Sequence, residues 1–253
     1  MTKPLVIMPC LDMRDGRVVK GVHFTDIRDA GDPVECCAAY CAAGADEITM
    51  LDIAATAESR DPRLEVVRKV AAVKTIPFTV GGGIASVQAA GAVLEAGADT
   101  ISTSSSVFRN PDMIGEMIRA FGAGKVTVAI DVARNPAMPS GYEVFIDGGR
   151  TATGTDALEW AKRVDGYGVT RILPTSKSTD GARTGFDLPL IRRIRAVTEA
   201  DVVASGGAGT MEHFAEAAEA GATILLGASV FHFNLVAIPE LKRYLAGRGF
   251  AVR

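Results

Sequence analysis

No segment of this 253-residue chain offers the roughly 20 consecutive apolar residues of a membrane span, and runs such as Ile224–Leu226 are far shorter. The opening Met1–Thr–Lys–Pro4 leads into no long signal-peptide apolar region, so the chain is expected to be cytoplasmic. Histidine is scarce, with three residues, and His23, His213 and His232 pair with no nucleophile at motif spacing. No H-E-x-x-H, Walker A or G-x-G-x-x-G is present, which removes the usual support for metal hydrolysis, nucleotide hydrolysis and dinucleotide binding. A net charge of −3 and a pI of 5.7 create no basic field to gather nucleic acid. Four cysteines show no C-x-x-C spacing: Cys36, Cys37 and Cys41 share one alanine-rich stretch and Cys10 sits in an apolar run. They are expected as buried thiols, with no metal or other cofactor. A hydrophobic fraction of 48% excludes disorder.

What remains is regular. Val/Ile-rich runs lie near Val6–Leu11, Glu47–Asp52, Phe78–Val80, Thr100–Thr103, Val126–Asp131, Arg171–Thr175, Val202–Ala204 and Thr223–Leu226. Between them, helical spacing covers Pro33–Ala43, Arg63–Val73, Ser86–Ala96, Pro111–Phe121, Asp156–Asp165, Leu188–Ala196, Met211–Ala220 and Ile238–Ala246. Many of these stretches end just before a glycine: Gly44, Gly97, Gly122, Gly221 and Gly247. Strict alternation of continuous apolar strands with helices predicts parallel strands buried on both faces. Eight such units fill about 250 residues, the size of a (β/α)8 barrel. No linker or composition shift divides the chain, so residues 1–253 read as one domain. Two connections are long, Asp12 to Asp32 and Val132 to Thr155, and within the second Tyr142–Ile146 followed by Asp147–Gly148–Gly149 predicts a hairpin. Trp160, on an outward helix, is assigned to packing.

The two halves of the chain resemble each other. Phe78–Gly83 matches Val203–Gly207, with Gly83 and Gly207 124 residues apart, and the segment from Gly97 to Ser105 matches that from Gly221 to Ser229 at the same offset. Asp12 and Asp131, each ending an apolar strand, are 119 apart. The expected architecture is therefore an α/β TIM barrel built from two similar half-barrels, with equivalent groups on opposite sides of its mouth.

Gly81–Gly83 and Ser104–Ser106 supply unobstructed backbone N–H groups and hydroxyls suited to phosphate oxygens, and Gly206–Gly207 with Ala228–Ser229 repeat the set. Two such cradles across one mouth imply a ligand with a phosphate at each end; tight βα turns are the alternative use of the same glycines. Asp12 and Asp131, facing each other over the barrel centre, can hold different protonation states, one giving and the other taking a proton; capping of neighbouring loops is the alternative. Asp52 faces Ser176 at the 124 offset and reads as structural. Asp180–Gly181 adds a carboxylate and an N–H on the same face, and Lys20 is a cation placed to close over an anion.

Cys10–Leu–Asp–Met–Arg–Asp–Gly–Arg–Val–Val–Lys–Gly21, Arg28–Asp–Ala–Gly–Asp–Pro33, Leu51–Asp–Ile53, Phe78–Gly83, Ala204–Gly209 and Ala228–Phe233 together resemble the cyclase subunits of imidazole glycerol phosphate synthase, a family of histidine biosynthesis. The resemblance runs from about Val6 to the C-terminus. It implies a heterodimer in which a glutaminase subunit delivers ammonia. The substrate would be phosphoribulosyl-formimino-aminoimidazole carboxamide ribotide, which carries two phosphates. The family's catalytic aspartates fall on Asp12 and Asp131. One phosphate falls on Gly83, Ser104 and Ser105 and the other on Gly181, Gly207, Ala228 and Ser229, with Thr175, Asp180 and Ser205 lining the mouth.

Several positions depart from the family pattern. Ser104–Ser105 stands where Asn-Thr is common, and Ser178 replaces a common aspartate. At the far end of the barrel the family has a gate of arginine, lysine and two glutamates; the matching residues here are Val6, Glu47, Thr100 and Arg171, so an Arg171–Glu47 pair is expected and the gate should differ. Asp99, which the family places at the partner-facing end, is retained. The sister isomerase of the pathway shares the half-barrel repeat, both phosphates and both aspartates, and a paralogue of another pathway or a non-catalytic bisphosphate-binding scaffold are further alternatives.

Overall fold

The computed structural model describes residues 3–22, 25–56, 58 and 60–253, with the backbone alone at 20–22 and 25–28. Among the described residues the strands are, in chain order, β1 (Val6–Arg14), β2 (Arg17–Val22), β3 (Thr25–Gly31), β4 (Ile48–Asp52), β5 (Phe78–Gly81), β6 (Thr100–Thr103), β7 (Val126–Arg134), β8 (Tyr142–Ile146), β9 (Thr151–Asp156), β10 (Arg171–Ser176), β11 (Asp201–Ala204) and β12 (Ile224–Gly227). Eight of them close a parallel barrel in the order β1, β4, β5, β6, β7, β10, β11, β12, and β12 returns to β1 with Val6 beside Ile224. Strands β1 and β7 are four places apart in either direction, so they stand on opposite walls. This is the expected (β/α)8 barrel.

Eight helices follow the expected ranges to within a residue or two, and two short ones, α4 and α9, lie outside them: α1 (Pro33–Ala42), α2 (Leu64–Val73), α3 (Val87–Glu95), α4 (Ser105–Arg109), α5 (Asp112–Phe121), α6 (Ala157–Asp165), α7 (Leu188–Arg195), α8 (Met211–Glu219), α9 (Ser229–His232) and α10 (Ile238–Gly247). Gly44, Gly97, Gly122 and Gly221 have the left-handed φ of helix stops, but Gly247 closes α10 as its last helical residue and the left-handed turn falls on Gly249. Trp160 is buried on α6 with its ring edge-on to Phe108. Cys10 and Cys37 are buried as expected, whereas Cys36 and Cys41 are only half-buried; burial still pushes the Cys37 thiol up to about 12, far from thiolate chemistry.

The half-barrel repeat is visible in detail. Asp32 caps α1 by accepting from the N–H groups of Val34 and Glu35, and Asp156, 124 residues later, caps α6 by accepting from Leu158 and Glu159. Ser86 caps α3 and Thr210, again 124 later, caps α8. Each half also carries an antiparallel hairpin after its first barrel strand, β2–β3 in one and β8–β9 in the other. The 119 spacing of Asp12 and Asp131 arises because the second of these insertions is the longer.

Side chains alternate along the strands between the helix layer and the barrel interior. Ile48, Phe78, Ile101 and Val126 pack outward, while Val6, Met8, Cys10, Leu173, Val203, Ile224 and Leu226 form a separate apolar cluster inside. Thr49, Thr79, Ser102 and Thr127 share the inward parity and are buried, so the opposite inner wall is lined with small hydroxyls.

At the pole where the strands begin, Glu47 is buried and holds Arg171 through two bonds, Nη1–Oε2 at 2.8 Å and Nη2–Oε1 at 3.2 Å. Arg253 adds a second cation to Glu47 Oε1 at 3.4 Å. Val6 is buried here and Thr100 half-buried, and Asp99 is tied to Lys74 and to the N–H of Phe78. Removing the glutamate charge would leave Arg171 desolvated without its partner. Glu47→Gln is expected to lower the unfolding free energy by about 2–4 kcal/mol in urea titration; an unchanged midpoint would mean that solvent already screens the pair.

Candidate active site

All strands of the barrel point their C-terminal ends at one cavity of about 640 Å³, within the range of small-molecule sites. Asp12, Asp131, Gly83, Ser104, Ser105, Thr175, Asp180, Gly181, Ser205, Gly207, Ala228 and Ser229 all line it. Lys20 lies in β2 with its backbone opposite Arg28 of β3, and its side chain falls outside the described residues.

Asp12 sits on β1 beside Leu51, and the Cys10 thiol donates to its Oδ1 at 3.2 Å. Asp131 is held on β7 between two neighbours, Thr175 of β10 and Phe145 of β8. That position sets its carboxyl half-buried in the cavity wall, and desolvation there raises its pKa to about 7, reinforced by the nearby Asp180 carboxylate and opposed by the Lys177 ammonium. Near neutral pH Asp131 therefore exists in both protonation states, as a group that must give and accept protons requires. Thr175 Oγ1 donates to Ser205 Oγ at 3.1 Å, joining two walls of the mouth.

The two cradles share a backbone as well as a spacing. Gly82 and Gly83 have φ of 92° and 74°, and Gly206 and Gly207 have 80° and 116°. Ser104 (φ −139°, ψ −89°) precedes α4 and Ala228 (φ −116°, ψ −87°) precedes α9 in nearly the same unusual conformation. The glycines also meet the demands of packing: a Cβ at Gly82 would stand 2.2 Å from the Asp52 carbonyl oxygen and one at Gly207 only 2.0 Å from that of Gly185. The turn reading and the cradle reading are thus compatible, since the same missing Cβ serves both.

Asp52 behaves structurally, as expected. It accepts from the N–H groups of Ala54 and Ala55 and receives Arg60 Nη1 at 2.6 Å and Nη2 at 2.8 Å.

Several residues around the site were not singled out by the sequence. The turn of the β8–β9 hairpin reaches the first cradle, where the Asp147 N–H donates to Ser105 Oγ at 2.8 Å and the Asp147 carboxylate grips Arg109 at 2.6 and 2.8 Å. Arg150 completes that rim. On the other side Lys177 donates to the Gly149 carbonyl and lies 3.9 Å above the Phe145 ring, fastening the hairpin over Asp131. His232 bonds Tyr40 Oη through Nδ1 at 2.6 Å and the Cys10 carbonyl through Nε2 at 3.0 Å, bracing β1 two residues from Asp12. The one usable signal was charge: a phosphate cradle implies a cation nearby, and Arg109 ends the short helix that begins at Ser105.

Comparison with known proteins agrees with this geometry. A family model described as histidine biosynthesis protein matches residues 6–237. Two curated relatives, each named imidazole glycerol phosphate synthase subunit HisF, come from Mycobacterium tuberculosis strains ATCC 25177 / H37Ra and CDC 1551 / Oshkosh. Each is 47% identical over 251 residues, covering 98% of this chain and 94% of the relative. With its paired half-barrels and their shared cavity, the chain belongs to the histidine biosynthesis protein family, in its HisF branch.

Proposed function

We propose that this barrel acts as the cyclase subunit of imidazole glycerol phosphate synthase, with Asp12 and Asp131 as its proton-transferring pair. The observation that carries the assignment of residues is their placement on opposite walls of one cavity, between two anion cradles that match in backbone conformation. A ribulosyl substrate with a phosphate at each end spans the mouth, one end on Gly83, Ser104 and Ser105 and the other on Gly181, Gly207, Ala228 and Ser229.

Ammonia attacks the ribulosyl ketone to give a carbinolamine. Loss of water yields an imine, and ring closure expels aminoimidazole carboxamide ribotide and leaves imidazole glycerol phosphate. Asp131, partly protonated at neutral pH, supplies the proton to the departing oxygen, and Asp12 takes one from the attacking nitrogen. Asp180 favours the protonated form of Asp131 by like-charge repulsion. Thr175 and Ser205 hold the substrate between the carboxylates, and Lys20 of the first long loop is the cation read as closing over it. The whole chain works as one domain in the cytoplasm.

Ammonia is delivered by a glutaminase partner seated at the pole of Glu47, Arg171 and Asp99, opposite the cavity. The test is product analysis after incubation with the ribulosyl substrate, using ammonium salt in one arm and glutamine plus purified glutaminase in the other. Imidazole glycerol phosphate is expected in both arms. Product with ammonium alone would remove the partner from the reading. Isomerisation of the aldosyl form without ammonia would instead make the symmetric cavity that of the sister isomerase, and phosphate-ligand binding without product would make it a silent scaffold.

A further inference from the structure

Arg183 follows β10 on the loop that carries Gly181, and its backbone is left-handed at φ 58°. A non-glycine residue seldom adopts that region, so neighbouring structure must enforce it. Gly209 does so: a Cβ there would lie 2.2 Å from the Arg183 carbonyl oxygen, and the two backbones are pressed together. The enforced turn aims the side chain back over the mouth. Its Nε donates to Ser229 Oγ at 3.3 Å, and its guanidinium stands 5.3 Å from the centre of the Phe233 ring. Phe233 is 41% exposed, an unusual place for an aromatic ring, and the cation above it gives that ring a use.

Two of the other arginines at the mouth are held by carboxylates. Arg60 carries Asp52 and Glu58, and Arg109 carries Asp147. Among the described residues Arg183 has no carboxylate partner, only a neutral hydroxyl at the long end of hydrogen-bond distance. A planar fork of charged donors is poorly used there and matches phosphate oxygens far better. The half-barrel symmetry sharpens the contrast. Ser105, the equivalent of Ser229, is bonded by a backbone N–H of the hairpin instead. The two cradles are alike in backbone and differ in the donor that meets the serine, a backbone N–H in one and a guanidinium in the other.

The geometry assigns Arg183 as a phosphate-binding residue of the second cradle, one that exchanges the Ser229 hydroxyl for the oxygens of the incoming group and so selects which end of a two-phosphate ligand lies there. The inference rests on the reading of Gly181, Gly207 and Ser229 as a phosphate site.

Wild type, R183Q and R183K, all able to keep the loop backbone, would be titrated with inorganic phosphate while the amide signals of Gly207 and Ser229 are followed by NMR. Ammonia-dependent turnover of the ribulosyl substrate would be measured on the same samples. R183Q is expected to weaken phosphate binding and raise KM by about 10- to 100-fold, the range of a lost charged hydrogen bond, with kcat little changed, and R183K should recover part of the loss. Equal KM in wild type and R183Q, with phosphate shifts intact, would overturn the Arg183 assignment alone. Absence of phosphate shifts at Gly207 and Ser229 in wild type would overturn the cradle and the assignment together.

Discussion

Asp131→Asn should lose ammonia-dependent cyclisation by about 10²–10⁴-fold in kcat, the contribution expected of a positioned acid or base, and at the same time gain stability. The side chain keeps its shape, so the loss would belong to the proton and not to packing. The gain follows from the raised pKa. In the unfolded chain an aspartate titrates near 4, whereas Asp131 in the barrel titrates near 7. Between those values the native state holds a proton that the unfolded state has released, so wild-type stability falls as pH rises from about 4 to 7. An asparagine feels none of this. The variant should match wild type at acid pH and exceed it above pH 7 by on the order of a few kcal/mol, measured as the difference in urea midpoints across pH. Undiminished turnover would remove Asp131 from the chemistry, and parallel pH curves for the two proteins would mean that its carboxylate is well solvated.

Gly207→Ala carries the second large effect. The methyl group would be built at φ 116° and 2.0 Å from the Gly185 carbonyl oxygen, with the Gly185 carbon at 2.7 Å and the Phe186 nitrogen at 3.2 Å. All three are backbone atoms, so no side chain can swing aside. The Gly185 N–H also donates to the Gly207 carbonyl at 2.9 Å, and opening the gap would stretch that bond. A cost of about 3 kcal/mol or more in unfolding free energy is expected, together with a KM increase of at least about tenfold as the second cradle shifts. Gly124→Ala is the control, since no atom lies within 4 Å of its Cβ and its φ is ordinary; it should leave both quantities unchanged. Wild-type behaviour of Gly207→Ala would show that the βα turn relaxes freely.

The barrel was legible because parallel strands buried on both faces must read as continuous apolar runs, and because Asp32, Ser86, Asp156 and Thr210 announce helix starts. The glycine sets were legible through the 124-residue repeat, and the aspartate pair through its place at the ends of the first and fifth barrel strands, neither of which needs knowledge of contacts. Strands β2 and β3 were not, and β9 was legible only as the unplaced return strand of the expected hairpin. Their sequences, Arg17–Val22, Thr25–Gly31 and Thr151–Asp156, mix charged, threonine and glycine residues rather than forming a continuous apolar run, and their pairing is decided by neighbours already in place. Arg183 and Lys177 escaped notice for a related reason: each draws its meaning from a partner brought near by the fold, Ser229 in one case and the hairpin turn in the other. The unusual proton affinity of Asp131 comes from desolvation and the neighbouring Asp180, which only the fold brings together. The pole where the strands begin illustrates the same limit, because Glu47 and Arg171 could be paired on paper while Arg253 could not.

The seam between β1 and β12 joins the first barrel strand to the last, with Val6 beside Ile224 and Pro9 beside Gly227. Its consequence is kinetic. Every other strand pair along one direction of the ring is made between segments close in sequence, but this one must wait until almost the whole chain has been synthesised and has collapsed. Until then β1 presents an unpaired edge of Val, Ile and Met residues, the kind of surface on which nascent chains associate wrongly. Refolding should therefore show a slow final phase in which the environment of β1 changes last, and its amplitude, rather than the stability of the finished barrel, should govern the yield of active protein at high concentration.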